Sequence, residues 1–391
     1  MKTAQKKYDI LIIGAGAAGM AAAVTAGEQA PGARILVLEK KEEPGKKILA
    51  TGNGRCNLSN RNCPGFPEIR SFFRHLGILT REEEGRIYPY TEDARDVRDA
   101  LKDRMDQLGV ECITGAAVTG IRPPEPGKPF RITWKGGETH ADQVLLAAGG
   151  KAGPAFGTTG DGGKLAGSMG HRVTRLAPVL SAVETKEDLS RAAGVRTPAE
   201  VGVWSAEDPV FRERGELQIT KYGISGIVVF NASRCLTIPE GKNLRNGFDD
   251  YTIRVDLAPD MKLEQVRTML TEEQALRPDR TPLRVLLRRN LADFLWEQAG
   301  ERVSEAAELL KNWPLHPKGV KGWDFAQVTK GGVPENEVDR TTMQSVFVPG
   351  LYLAGEVLDY DGPCGGYNLQ HAWETGIRAG RAMAVRFSGE E

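Results

Sequence analysis

Cysteine is scarce in this chain: five residues, at 56, 63, 112, 235 and 364, odd in number and scattered. That suits a reducing cytosol better than a disulfide scaffold. Histidine is as rare, at five residues, and no Cys, His and Asp grouping has the spacing of metal ligands, so no metal is expected. A charge of one sign is missing too. Lys+Arg and Asp+Glu are both 52, which argues against a general binder of nucleic acid or of an anionic membrane. No apolar run is long enough to read as a membrane span, no targeting segment is evident, and no Ser/His/Asp hydrolase pattern is present. The excess lies in glycine, 46 of 391 residues, concentrated at 14–19, 52–54, 149–170, 331–332 and 350–366.

The first glycine cluster has a physical reading. Ile10–Ile13 is continuous aliphatic, as in a parallel strand buried on both faces. Gly14 permits a turn, Gly16 lets backbone approach a phosphate, and Gly19 lets the following helix sit close to the strand. That helix, from Ala17 and Ala18 to about Gln29, points its free N–H groups and its dipole at a diphosphate. A second strand, Arg34–Leu38, ends in Glu39 followed by Lys40. Glu39 lies about twenty residues beyond Gly19, where a carboxylate accepts from adenosine ribose hydroxyls. A signal peptide or membrane helix over Ile10–Ala26 is disfavoured by flanking charges, by the glycines and by the lack of any role for Glu39. The motif alone does not separate NAD from FAD.

The C-terminal glycines favour FAD. Gln143–Gly150 reads as a third apolar strand ending in small residues, with Ala148, Gly149 and Gly150 near the cofactor. Leu351–Ala354 reads as a strand leading to Gly355 and Glu356, an acid that suits ribityl or ribose hydroxyls. Gly365 and Gly366, with Tyr367, Asn368 and Leu369, open a helix running to about Met383. Its N–H groups suit the flavin edge where negative charge appears on reduction. An ordinary turn and helix would not explain the glycine density.

Three strings carry a family resemblance: Lys46–Asn57 (KKILATGNGRCN), Thr329–Val333 (TKGGV), and Gly350–Asp359 (GLYLAGEVLD) continuing at Gly365–Gln370 (GGYNLQ). The chain resembles the BaiN/YhiN-like flavoproteins over most of its length. The resemblance implies an FAD-containing oxidoreductase with an inserted domain, bacterial and cytoplasmic. Activities in that family include ene reduction of steroid-like acids and oxidation of small amines. Cys364 stands where Thr or another small residue is expected, and Glu335–Val346 matches only loosely.

The fold class expected is α/β: a two-dinucleotide-binding-type, Rossmann-like FAD domain with an inserted β-rich and helical domain. Residues 1–185 form its first part and 326–391 its second. The insert covers 186–325, β-rich over 186–260 and helical over 261–325, with a cleft expected at the two crossings. Within the first part, Ile69–Gly77 and Ala94–Leu108 read as helices, Glu111–Ile121 and Phe130–Trp134 as strands around a turn at Pro123–Pro129, and Gly162–Met169 as a short helix. Within the insert, Val201–Trp204, Glu216–Ile219, Gly226–Phe230 and Tyr251–Asp256 read as strands. Met261–Leu270, Leu283–Glu297 and Val303–Asn312 read as helices.

The loop Gly45–Asn57 is expected to pack on the cofactor through Gly52, Asn53, Gly54, Arg55, Cys56 and Asn57. Arg55 is suited to a phosphate, or else is a solvated loop arginine. Cys56 and Cys63 as a redox pair is the lesser reading; in the better one Cys56 belongs to a loop that packs on the cofactor and Cys63 is incidental. Gly331 and Gly332 would let backbone approach the flavin ring. Lys330 would stabilise reduced flavin or a substrate oxyanion, or sit exposed beside a turn. Tyr222 is a conceivable proton donor for enone reduction, although a packing role is commoner, and Cys364 is a third catalytic candidate. His371 reads as a packed helix histidine. Val118 is the candidate for backbone contact with adenine, or a plain edge or core valine.

The functional expectation is reduction of a conjugated, enone-like small molecule driven by NAD(P)H, with hydride passing through flavin N5. No second GxGxxG follows residue 150, so NAD(P)H would bind only transiently. That raises the alternative of an oxidase or dehydrogenase of a small amine. A tRNA-modifying or RNA-binding flavoprotein is a further alternative, opposed by the balanced charge. The partner expected is a small-molecule substrate, with no nucleic acid and no membrane.

Overall fold

The computed structural model describes residues 7–123, 125, 128–238 and 247–387. The chain divides into two compact units, Met1–Ala177 with Val328–Glu391, and Pro178–Gln327.

The first unit is built on a mixed sheet. Four strands lie side by side in the order Glu111–Ile113, Ile35–Leu38, Lys7–Ile13 and Gly137–Leu146. All neighbouring pairs among them are parallel. The long strand Gly137–Leu146 changes partner along its outer edge. Its first half pairs antiparallel with Phe130–Trp134, and its last residues pair parallel with Leu351–Leu353. The C-terminal segment thereby enters the same sheet as the N-terminal strand. Ile10–Ile12 and Leu36–Val37 are essentially without solvent contact. Burial on both sheet faces explains the unbroken aliphatic runs, and each such side chain contributes about 1.5–3 kcal/mol.

Register is the feature that positions the site. Ile113, Leu38, Ile13, Leu146 and Leu353 are successive partners across the sheet. The five parallel segments therefore end on one line. Gly14, Glu39, Ala147 and Ala354 follow directly, all along the carboxyl edge where open α/β sheets bind ligands.

Two helices, Ala17–Gln29 and Tyr367–Val385, pack on this unit through small residues. A Cβ on Gly376 would collide with the Ala18 carbonyl, and one on Gly380 would lie 2.6 Å from the Ala22 oxygen. Only glycine lets these backbones approach so closely. A small antiparallel sheet joins Ser59–Asn60, Arg86–Pro89 and Thr80–Glu83.

The second unit holds an antiparallel sheet in the order Trp313–Leu315, Tyr251–Asp256, Arg196–Ser205, Asp208–Thr220, Gly223–Ser225, Val183–Thr185 and Pro317–Val320. Helices Leu263–Leu276, Arg289–Gln298 and Val303–Lys311 share its apolar core, with Trp313 and Leu295 buried at its centre.

Three expectations are corrected. Gly226–Phe230 is not a strand. The helix Ile227–Ser233 begins after Gly226, at φ +106°, and buries Val228, Val229 and Ala232 on one face; packing overrides the β preference of the branched residues. Glu111–Ile121 is two strands, Glu111–Ile113 and Val118–Arg122, separated by a turn with Gly115 at φ +65°. Leu283–Glu297 is a short 3-10 turn, Pro282–Val285, followed by the helix Arg289–Gln298. Arg284 folds back onto Asp293 of that helix at 2.7 and 2.5 Å. The turn expected at Pro123–Pro129 lies partly outside the described residues. Among the described residues no helix is long and apolar enough to cross a membrane.

Candidate functional site

The glycines of the first motif do different jobs, and the space around each separates them. A Cβ on Gly14, at φ +102°, would lie 2.5 Å from the Ala147 oxygen, and one on Gly19 would collide with the Gly14 carbonyl. These two glycines are demanded by packing. A Cβ on Gly16 meets nothing within 4 Å, and Gly16 has an ordinary extended conformation at φ −84°. The protein itself places no demand for glycine at 16. That space lies at the helix N-terminus, where the first-turn N–H groups of Ala17, Ala18 and Gly19 have no intrahelical acceptor. An anion such as a pyrophosphate fits there.

Glu39 lies beside this turn. Its carboxylate accepts from the Ala15 and Lys41 N–H groups, each at 2.8 Å, which fixes the side chain at the sheet edge. Lys40 reaches away, donating to Thr159 and Asp161 at 2.7 Å. It holds the 159–161 segment and draws the Asp161 carboxyl below its ordinary range, in spite of the opposing effect of partial burial. The segment leading to Val118 runs next to Glu39. The Ala116 N–H donates to the Glu39 carbonyl at 2.8 Å, and Gly115 N–H to that of Lys41 at 2.9 Å.

The loop after Glu39 is folded back by a bond from the Gly45 N–H to the Ala15 carbonyl at 2.7 Å. It then turns sharply. Gly52, Asn53, Gly54 and Cys56 all have left-handed φ between +56° and +86°. Asn adopts this left-handed conformation more readily than most residues, whereas at Cys56 it carries backbone strain. Cys56 is fully buried, and loss of solvation pushes its thiol up to about 12. Cys63 is also buried and its thiol raised by desolvation. Thiols held protonated lack the thiolate character that redox chemistry requires. Arg55 is engaged with Glu83 at 3.0 Å and Glu92 at 3.3 Å and lies over the Tyr88 ring. Both carboxylates meet one nitrogen, Nη1, of the guanidinium expected to meet a phosphate. The Asn57 side-chain amide bridges the Ser59 carbonyl at 2.9 Å and the Gly366 N–H at 3.1 Å, joining this loop to the start of the last helix.

The C-terminal residues close the same edge. A Cβ on Gly355 would lie 2.9 Å from the Ala18 Cβ, so the two glycine-rich segments meet directly. Gly366, at φ +97°, caps the helix that begins at Tyr367. Asn368 spends its amide on the Gly362 N–H and carbonyl, at 2.8 and 2.9 Å. Leu369 packs on the core. The Gly331 N–H donates to Asp359 at 3.0 Å and Gly332 N–H to Thr174 at 3.0 Å. A Cβ on Gly332 would meet the Val357–Leu358 backbone at 2.7 Å.

Sequence reasoning missed Lys47 and Thr329. Lys47 donates to Glu356 at 2.7 Å and to the Ala152 carbonyl at 3.2 Å. The other Glu356 oxygen accepts from the Thr329 N–H at 2.8 Å. Thr329, fully buried, accepts through its hydroxyl from the Lys151 and Ala152 N–H groups. A Cβ on Gly150 would sit 2.9 Å from Glu356 Oε1, so Ala148–Gly150 ends against this network. The repeated lysines around 46–47 and the TKG string were the only local signals, and neither reveals the pairing.

Of the three catalytic candidates, Lys330 ends the strand Val328–Lys330 beside the glycine pair, and Cys364 directly precedes Gly365. Tyr222 belongs to the second unit, where the Lys321 ammonium lies 4.2 Å from its ring centre and is paired with Glu184. His371 stacks on Tyr360 at 4.0 Å, nearly parallel. Burial pushes its imidazole down to about 4, Arg378 adding to the effect, and its Nε2 has no hydrogen-bond partner. Among the described residues no cluster of three or more His, Cys, Asp or Glu suits a metal.

These residues fit an FAD: an open cradle at Gly16, an acid fixed at the edge beside it, and a second helix start brought to the same edge. Comparison with known proteins agrees. The family described as HI0933-like protein Rossmann domain matches residues 8–66 and 65–382. The 3-dehydro-bile acid delta(4,6)-reductase of Clostridium scindens is 38% identical over 96% of this chain and 98% of its own length. The ribosomal RNA dihydrouridine synthase of Escherichia coli K12 is 30% identical over 95% of this chain and 96% of its own. Among solved structures, the 3-ketosteroid-delta4-(5alpha)-dehydrogenase of Rhodococcus jostii RHA1 shares the fold with a TM-score of 0.51 and 14% identity, covering 98% of each chain. The chain belongs to the HI0933-like Rossmann family.

Proposed function

We propose that this member of the HI0933-like family is an FAD-dependent reductase of a small molecule whose C=C bond is conjugated to a carbonyl, with NAD(P)H as the transient electron donor. The observation that carries the cofactor assignment is the unfilled space at Gly16, set between two glycines that packing requires. That the chain is an oxidoreductase rests on its family and on the 38% identity to a named reductase spanning nearly all of both chains. FAD, when bound, supplies the hydride-carrying ring.

The protein's part is binding, orientation and electrostatics. Glu39 meets the adenosine ribose, and the N–H groups after Gly16 meet the pyrophosphate. The segments at Ala148–Gly150, Thr329–Gly332 and Gly355–Glu356 frame the ring. The helix beginning at Tyr367 presents its positive end. Lys330, beside Gly331 and Gly332, is placed to stabilise charge that develops on a substrate carbonyl oxygen. The two full-length relatives support the substrate class. One is named for reducing conjugated double bonds of a 3-dehydro-bile acid; the other makes dihydrouridine, which is uridine with its carbonyl-conjugated double bond reduced.

That second relative also favours an alternative reading, reduction of a uridine within RNA. The oxidation of a small amine is the remaining alternative. One experiment separates the three. The purified, FAD-loaded protein is mixed anaerobically with NADH or NADPH and then with a 3-oxo-4,6-diene bile acid, with unmodified ribosomal RNA, or with an amine panel in air. Flavin bleaching by a nicotinamide, followed by loss of the dienone absorbance, supports the proposal. Dihydrouridine formed in RNA supports the alternative, and peroxide formed from an amine without nicotinamide bleaching overturns the reductase reading.

A further inference from the structure

We propose that Lys47 is a positioning residue of the cofactor site: through Glu356 it fixes the Thr329–Gly332 segment that frames the FAD ring. The inference rests on the FAD reading and adds to it a residue with no place in the dinucleotide motif.

The geometry is a relay of four groups. Lys47 comes from the loop after the second strand, and Glu356 from the segment after the last, 309 residues apart in sequence. Lys47 Nζ donates to Glu356 Oε2 at 2.7 Å, and Glu356 Oε1 accepts from the Thr329 N–H at 2.8 Å. Thr329 in turn holds the Lys151 and Ala152 N–H groups on its hydroxyl, at 2.7 and 2.9 Å. Lys47 closes the ring of contacts on the Ala152 carbonyl. The carboxylate thereby holds the Lys47 loop and Thr329 directly, and these two hold the 151–152 segment between them.

Both partners are mostly withdrawn from water, with side-chain exposures of 25% and 19%. A carboxylate at that depth is costly without a cation. Removing Lys47 therefore leaves Glu356 with an uncompensated charge beside the ring and frees it to swing from the Thr329 N–H. Both consequences reach the cofactor. The frame loosens, which weakens FAD binding. Net negative charge next to the ring disfavours adding electrons to it, so the reduction potential falls.

The test uses the full chain and four variants: Lys47→Met, Lys47→Arg, Glu356→Gln and the double Lys47→Met/Glu356→Gln. The FAD dissociation constant is measured by flavin fluorescence and the midpoint potential by equilibration with reference dyes. Lys47→Met is expected to weaken FAD about tenfold, the lower end of the loss seen when a group that orients a metal ligand is removed, and to lower the potential. Lys47→Arg restores most of both. The double variant is expected to be no weaker than the worse single variant and to have a potential nearer wild type, because the charge is again balanced. Wild-type affinity and potential in Lys47→Met overturn the positioning role, as does a double variant whose losses simply add. If Lys47→Met fails to fold, the arginine and glutamine variants still decide: Lys47→Arg at wild type with Glu356→Gln weakened supports the relay, and Glu356→Gln at wild type refutes it. A wild-type protein that takes up no FAD would instead overturn the cofactor reading beneath it.

Discussion

Replacing Gly16 by valine separates a ligand requirement from a folding requirement. The backbone at Gly16 is extended, φ −84° and ψ −167°, a conformation valine adopts without strain. Its Cβ would meet no atom within 4 Å. Two small effects oppose each other: a stiffer unfolded chain favours the variant by about 0.4–1 kcal/mol, and valine is a poorer helix N-cap than glycine by a comparable amount. The FAD-free Gly16→Val protein should therefore unfold within about 1 kcal/mol of wild type. Added FAD should separate them. At a hundredfold excess over its dissociation constant, a ligand stabilises the wild type by about 2.7 kcal/mol, and the variant should gain nothing, because the isopropyl group stands where the pyrophosphate must lie. Gly19→Ala is the contrasting control. Its single added carbon collides with the Gly14 carbonyl, a backbone atom that cannot rotate aside. Overpacking of that kind costs about 1–3 kcal/mol or more, with or without FAD. The assay is thermal or urea unfolding at several FAD concentrations. A Gly16→Val protein that keeps the full FAD-dependent stabilisation refutes the cradle assignment. One that loses several kcal/mol without FAD refutes the claim that the protein itself tolerates a side chain there.

Further outcomes follow from the same geometry. Gly376→Leu, whose Cβ would collide with the Ala18 carbonyl, should destabilise the protein by about 3 kcal/mol and lower its unfolding temperature; an unchanged melt would contradict the packing of the two helices. Cys56, with its thiol pushed up to about 12, should resist alkylation at pH 8 in the native protein. The unfolded thiol ionises first as pH rises, so its contribution to stability is present below about pH 9 and is lost between about 9 and 12. Mass spectrometry showing rapid modification of Cys56 would contradict its burial. His371, pushed down from 6.5 to about 4, stabilises the fold above pH 6.5, and this contribution is lost as pH falls toward 4, by up to roughly 3 kcal/mol. Stability curves of His371→Phe should be flatter over that interval, and an identical acid limb in both proteins would sink the assignment.

The parts of the site legible in the sequence are those set by neighbours in the chain. The aliphatic run Ile10–Ile13, the spacing of Gly14, Gly16 and Gly19, and the acid at 39 are local demands of a strand, a turn and a helix start, and they appear as a motif. The glycine pair at 365–366 is likewise a local requirement for left-handed backbone. Three readings failed for a common reason. The run after Gly226, the strand spanning Gly115 and the helix spanning 283–297 were each judged by composition, and each was decided by which face the rest of the fold buried or where a turn had to fit. Arg55 was suited by chemistry to a phosphate, yet Glu83, from a small sheet that local pattern did not reveal, and Glu92, from the turn after it, hold it in an ion-pair cluster.

The sequence by itself determined that a dinucleotide-type strand, turn and helix open the chain, that glycine-rich turns recur before a final helix, and that the family is one of flavoproteins. Tertiary structure alone decided that the parallel strands end on one line, that Lys47 meets Glu356 across 309 residues, and that Gly376 and Gly380 serve to seat one helix on another. The physical reason is range. Backbone conformation and hydrogen bonding within a turn depend on a few adjacent residues, whereas ion pairing and close packing depend on which distant segments the folded sheet brings to the same edge.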